Sequence, residues 1–142
     1  MKTIWDWAQT GVAGIGAVFG WFLGDMDSFI YVLVAFVVVD YITGVLRAIV
    51  EKKLSSQIGA QGIAKKAAIF LIVGVAHLAD VCLFQGGNAL RTAILFFYIS
   101  NEGLSLLENT AAIGLPVPER LKDALSQLHG KSKITKGSDD ND

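Results

Sequence analysis

Apolar positions along the chain fall into four long runs, at residues 4–24, 29–50, 67–84 and 92–115. A helix needs about 20 residues, in a range of about 17–25, to cross the hydrocarbon core of a bilayer. Each of the four runs has such a length, and each carries at least one ionisable side chain. The pattern predicts an all-α, polytopic membrane protein with three to four transmembrane helices, of which four are favoured.

Short polar segments separate the runs. Residues 25–28 and 85–88 have the composition of tight turns, and residues 51–62 are predicted to form a longer polar loop. Beyond Pro116, leucines at helical spacing among charged residues predict a short surface helix at about 118–129. Residues 130–142 lack an apolar stripe and are expected to be a disordered polar tail, so the membrane domain covers residues 1–129.

The first run allows two interpretations. Trp5 and Trp21 are sixteen residues apart, or about 24 Å along a helix, which is close to the separation of the two aromatic belts of a membrane helix. A helix lying in the membrane interface is the alternative to a spanning helix. Asp6 and Gln9 interrupt the start of the apolar run, so we expect this segment to be retained and not cleaved as a signal peptide.

The amino-acid composition limits the classes of protein to which the chain can belong. Charged residues make up 18% of the chain, against about 25% in soluble domains, and 53% of the residues are apolar. The net charge of −1 gives no reason to expect nucleic-acid binding. One cysteine and two histidines make a poor set of metal ligands, and we find no catalytic motif. We therefore expect no enzyme activity, no cofactor and no metal site.

The basic residues predict the orientation in the membrane, because they concentrate on the cytoplasmic side of membrane proteins. Lys2 and the basic residues of the C-terminal tail lie on the same side as the central loop if all four runs span. Arg91 is the exception and falls on the outer side. Both termini are therefore predicted to be cytoplasmic, with the central, topology-setting basic residues being Arg47, Lys52, Lys53, Lys65 and Lys66.

Polar side chains inside the runs are the candidate functional residues. An aspartate or arginine at the centre of a membrane helix costs about 2.5–3.5 kcal/mol, so Asp40 is expected to find a polar partner. His77 and Asp80 are three residues apart and therefore neighbours on a helix, and a polar stripe marks the fourth run. These residues could form hydrogen bonds between the helices of one chain, contact other subunits or line a water-filled lesion. The candidates are Asp40, His77, Asp80, Tyr98, Asn101, Glu102, Ser105 and Glu108, with Asn109 widening the stripe.

Glycines recur every four residues in the first run, at Gly16, Gly20 and Gly24. Small residues at this spacing allow the backbones of two membrane helices to approach closely. The stripe is a candidate helix-packing surface, either within the chain or between copies of it.

Several segments, in their order and spacing, resemble the phage lysis and toxin-secretion holin family. The resemblance covers about residues 30–125. It rests on the segments 40–44 (DYITG), 52–56 (KKLSS), 62–66 (GIAKK), 76–80 (AHLAD), 90–93 (LRTA), 97–105 (FYISNEGLS), 107–109 (LEN) and 115–119 (LPVPE).

The resemblance implies a phage-type holin in the cytoplasmic (inner) membrane of a host bacterium. Such a protein forms homo-oligomers in the lipid bilayer and opens lesions that release an endolysin, causing cytolysis. It also implies functional coupling to that endolysin and, in some systems, to an antiholin. Three alternatives remain open: a toxin- or protein-export accessory of the same family, an antiholin, and a small ion-coupled transporter.

Overall fold

Four α-helices make up most of the residues that the structure, a computed structural model, describes: residues 3–121 and 123. Within that part of the chain there is no strand. The helices are α1 (Ile4–Leu23), α2 (Ser28–Val50), α3 (Ser56–Leu83) and α4 (Ala89–Ile113). The all-α prediction is therefore confirmed for the described residues.

Local chemistry explains where the helices begin and end. The Asp27 carboxylate accepts a hydrogen bond from the Ile30 backbone N–H at 3.0 Å and caps α2. Gly24 ends α1 and Gly114 ends α4, each at a positive φ that a side chain would disfavour. The turn predicted at residues 25–28 connects α1 to α2, and the turn predicted at residues 85–88 connects α3 to α4.

The polar loop predicted for residues 51–62 is wrong in its second half, because α3 begins at Ser56. The Ser55 hydroxyl accepts a hydrogen bond from the Ile58 N–H at 3.2 Å and caps the helix there. The first turns of α3 contain mainly polar residues and glycine, so the pattern of apolar positions does not show where this helix begins. The helix has 28 residues, about 42 Å, so it is longer than a bilayer core is thick.

α4 packs along both α2 and α3, whereas α1 makes its main contacts with α3. The contact between α1 and α3 is close at one point, where the Phe22 ring lies over Gly74; a Cβ there would come within 2.0 Å of the ring. Residues 4–19 of α1 are otherwise almost entirely exposed. The apolar core consists of Leu23, Ile30, Leu33, Val37, Ile69, Val73 and Leu95.

The distribution of polarity is the reverse of that in a soluble protein. Asp40, Asp80, Arg91, Glu102 and Asn109 are buried, while many large apolar side chains of all four helices are exposed. Soluble proteins rarely bury charged groups and rarely expose large continuous apolar surfaces. An apolar exterior is suited to lipid, and a polar interior lets charged groups satisfy one another away from lipid.

Two helices of the described chain, α2 and α3, are long and apolar enough to cross a membrane. α1 and α4 carry lower hydropathy and do not reach that level. Residues 119–121 and 123 are helical, at the start of the predicted surface helix. The rest of that helix and the predicted tail at 130–142 lie outside the described residues.

Candidate functional site: a buried polar layer between three helices

The middle of the bundle contains a charged cluster formed by one residue from each of α2, α3 and α4. The Lys66 ammonium donates hydrogen bonds to Asp40 Oδ2 and to Glu102 Oε2. Asp40 and Glu102 are almost fully buried, and the Lys66 side chain is only 18% exposed. A single cation therefore holds two carboxyl groups that come from different helices.

Asn109 completes this layer on α4, two turns beyond Glu102. Its side-chain amide donates to Asp40 Oδ1 at 3.1 Å and lies 3.3 Å from the Thr43 hydroxyl. Both carboxyl oxygens of Asp40 therefore accept hydrogen bonds, one from Lys66 and one from Asn109. We call the set Asp40, Lys66, Glu102 and Asn109 the central cluster.

Helical periodicity explains why these residues meet. On α2, the buried residues Ile30, Leu33, Val37 and Asp40 lie on one face, so Asp40 continues the apolar stripe. On α4, Leu95, Glu102 and Asn109 are seven residues apart and form the corresponding face. The same stripes that build the apolar core thus end in the central cluster.

Two grooves reach the central cluster. The first, of about 260 Å³, lies beside α2 and α3 and includes Asp40, Lys66 and Asn109 among its walls. The second, of about 350 Å³, lies between α3 and α4 and is lined by Lys66 and Glu102. The buried ions are therefore adjacent to open space as well as to one another.

A second polar layer lies at the end of the bundle where the α1–α2 and α3–α4 turns meet. The buried Arg91 guanidinium donates to the backbone oxygens of Leu23 and Asp25 and to the Asp27 carboxylate, each at 2.7 Å. Asp80 in turn accepts from the backbone N–H groups of Leu90 and Arg91, at 3.1 and 2.7 Å. Arg91 therefore fastens the α1–α2 turn to the start of α4.

Asp27 shows the electrostatic effect of this layer. Partial burial alone would raise the pKa of the Asp27 carboxyl, but the hydrogen bond and charge of Arg91, together with the Ile30 N–H, lower it below its usual 3.8. On the surface at the other end of α2, the hydrogen bond from Arg47 lowers the pKa of Glu51. Asp27 is thus held ionised opposite the buried arginine.

His77 and Asp80 do not form the mutual hydrogen bond that their spacing suggested, because Asp80 caps the start of α4. Within the described residues, His77 Nδ1 is buried without a hydrogen-bond partner. It lies beside Gly24, where a Cβ would come within 2.8 Å of the imidazole nitrogen. Gly24 is therefore a point of close approach between the end of α1 and α3.

The polar stripe of α4 divides into two sets. Glu102 is buried within the bundle, whereas Asn101 and Glu108 are exposed on its outer surface. Tyr98 and Ser105 are half-buried between them. Only the inward part of the stripe belongs to the central cluster.

Gly16 and Gly20 have no other group near them, because a Cβ built at either position would meet nothing within 4 Å. Packing inside the monomer therefore gives no reason for glycine at these two positions. Gly16 and Gly20 therefore face away from the bundle, whereas Gly24, the third glycine of the stripe, is buried beside His77.

The topology-setting lysines differ in their surroundings. Lys52, Lys53 and Lys65 are exposed, as expected for basic residues beside a membrane, and Arg47 pairs with Glu51 at 2.9 Å. Lys66 departs from the prediction because its ammonium is turned inward onto Asp40 and Glu102. Lys66 follows Lys65 at the end of a polar stretch, so the sequence pattern did not distinguish it from a surface lysine. The need of Asp40 for a polar partner was the one indication in the sequence that a buried cation was required.

No group of three or more potential metal ligands occurs among the described residues. The central cluster instead consists of an ammonium, two carboxyl groups and an amide. This polar interior, together with the apolar exterior and the two candidate spanning helices, is typical of a small helical membrane protein whose helices are joined by buried ion pairs.

Comparison with known proteins assigns the family. Residues 17–130 match the bacteriophage holin family, so the chain belongs to that family, and the resemblance noted from the sequence is confirmed. A probable holin of Bacillus phage phi105 is 37% identical over 103 residues, which cover 72% of this chain and 76% of the phage protein.

Bacterial relatives extend the similarity over more of the chain. An uncharacterised 14.9 kDa protein in the nagH 3′ region of Clostridium perfringens is 43% identical over 131 residues, covering 92% of this chain and 99% of that protein. An uncharacterised protein of Listeria innocua is 44% identical over 124 residues, covering 87% and 88% of the two chains. No solved structure matches this chain.

Proposed function

We propose that this protein is a holin that oligomerises in the cytoplasmic membrane of a bacterium and forms lesions through which an endolysin reaches the cell wall. The observation that carries the proposal is membership of the bacteriophage holin family across most of the chain. The name of the phage phi105 relative, a probable holin, supports the same function.

In this proposal all four helices span the membrane and both termini are cytoplasmic. The α1–α2 and α3–α4 turns then lie outside, and the exposed Lys52 and Lys53 lie inside. Arg91, which is exceptional as an outer basic residue, is compensated by Asp27 and by backbone oxygens. Its buried position explains how one arginine is tolerated on that side.

Oligomerisation would provide a partner for a polar group on the outer surface of the bundle. Asn101 lies at the middle of α4 and is exposed on the bundle surface, where a lipid tail could not satisfy its amide. Contact with a second copy, or with water in a lesion, would satisfy it. We therefore assign lesion formation to the exposed Asn101 and Glu108 together with the half-buried Tyr98 and Ser105, which we call the outward set. We assign cohesion of the monomer to the central cluster.

Expression of the chain with a cytoplasmic muralytic enzyme tests this division. Glu102→Leu leaves Lys66 with one fewer partner and is expected to lower the amount of protein in the membrane. Asn101→Leu removes a polar group from the surface and is expected to leave that amount unchanged while delaying enzyme release. The onset times of lysis and of membrane depolarisation would be measured and plotted against the amount of the protein in the membrane. If Asn101→Leu shows normal onset times at a normal amount of protein, the outward set has no part in the mechanism.

A protein-export accessory is the second candidate, because several relatives come from Clostridium and Listeria and not from a phage. Export without lysis would release a chosen cargo while membrane potential and cell density persist. The same expression experiment separates the two functions, since a holin is expected to abolish both.

A further inference from the structure

The central cluster contains an excess of one negative charge if all its ionisable groups are charged, since Asp40 and Glu102 are two acids and Lys66 is one base. The side chains of all three residues are largely buried where α2, α3 and α4 meet. An uncompensated charge in such surroundings is expensive, and a group in this position neutralises by exchanging a proton. We propose that the central cluster is a proton-binding site and that it holds one proton on Glu102 at neutral pH.

The hydrogen bonds indicate which acid carries the proton. Asp40 accepts from a charged donor at one oxygen and from the Asn109 amide at the other, so its anionic form is satisfied twice. Glu102 accepts from Lys66 through Oε2. Two carboxyl groups on one ammonium cannot both ionise easily, and the acid with fewer donors takes the proton.

Other titratable groups near the cluster do not change this balance. On α3, Lys65 lines both grooves, but its side chain is exposed and makes no ion pair with either acid among the contacts of the described residues. Tyr41 of α2 lines the first groove and Tyr98 of α4 lines the second, and neither phenol forms an ion pair with the cluster among the contacts of the described residues. Both grooves reach the charged groups of the central cluster, and we assign to them the path by which the proton enters and leaves.

Proton binding has a consequence for the bundle. With Glu102 protonated, Asp40 and Lys66 form a neutral pair, and α4 is joined to α3 by a hydrogen bond. Loss of the proton leaves a net negative charge between the helices and weakens the contact of α4 with α2 and α3. The folded chain therefore binds one more proton than the unfolded chain. Its unfolding constant is expected to rise with pH by up to tenfold per unit while the folded chain still holds this proton, and to level off once the proton is lost.

Infrared spectroscopy of the purified full chain in lipid nanodiscs tests the proposal independently of lysis. The carbonyl band of a protonated carboxylic acid is expected at pH 7 and is expected to be lost in Glu102→Gln. Glu51→Gln, which changes an exposed acid paired with Arg47, is the control and should keep the band. Absence of the band from the unaltered protein at pH 7, or its persistence in Glu102→Gln, would overturn the proposal.

Asp40→Asn provides a second variant should Glu102→Gln fail to fold. Glu102 is then the single acid facing Lys66, so the pair is balanced without an extra proton and the band should disappear. The alkaline increase in unfolding should disappear with it. A band that persists in Asp40→Asn would contradict the charge balance on which the site depends.

Discussion

Replacing Lys66 with methionine removes the cation of the central cluster while keeping an unbranched side chain of similar length. At least the Asp40 carboxylate then stays buried with no positive partner. Removing one member of a buried ion pair costs about 3–5 kcal/mol. Lys66→Met should therefore raise the unfolded fraction by at least about a hundredfold.

The assay is unfolding of the purified chain in mild detergent, followed by the loss of helical circular dichroism as a denaturing detergent is added. Lys65→Met is the matched control, since this neighbouring lysine is exposed; it should change stability by no more than about 0.5 kcal/mol. Adding Asp40→Asn and Glu102→Gln to Lys66→Met removes the charges together and should restore most of the loss. Equal stability of Lys66→Met and Lys65→Met would refute the assignment of Lys66 to the bundle interior.

Three further predictions concern other parts of the chain. The ionised Asp27 carboxylate stabilises the fold above its ordinary pKa of 3.8, and this stability is lost as the pH falls through its lower pKa in the folded chain. Asp27→Asn should therefore weaken the dependence of stability on pH in the acid range. Asp25→Asn, which changes an exposed carboxyl group, should not. Gly20→Leu should leave monomer stability intact or raise it, because nothing lies within 4 Å, yet reduce chemical cross-linking between copies if α1 packs on another α1. In a chain whose Cys82 is replaced by serine, a membrane-impermeant thiol reagent applied to intact cells should label a cysteine at Asn88 and not one at Ser56; labelling at Ser56 would contradict the four-span topology.

Much of the fold follows from local sequence chemistry. The apolar runs and glycine or aspartate at their ends predicted α1, α2 and α4 to within a few residues, because caps and hydropathy act over short distances. The start of α3 was missed because Ser55 caps a helix whose first turns are polar. A hydropathy pattern cannot distinguish a polar loop from a helix that projects beyond the apolar layer.

The partners inside the bundle depended on packing and could not be predicted in the same way. The sequence indicated that Asp40 needs a polar partner, but Lys66 is 26 residues away and resembled an ordinary surface lysine. Which lysine turns inward depends on the rotation of α3 against α2 and α4, a property of all three helices together. Arg91 is similar, since its three acceptors come from a turn more than 60 residues earlier.

Release of folded cargo from liposomes tests lesion formation most directly. Purified full-length protein would be reconstituted into vesicles containing both a small dye and a folded muralytic enzyme, at increasing ratios of protein to lipid. A holin is expected to release both cargoes above a threshold density, and Asn101→Leu is expected to move that threshold upward. Release of the dye alone at every density, with the enzyme retained, would contradict the account and indicate a pore too small for an endolysin.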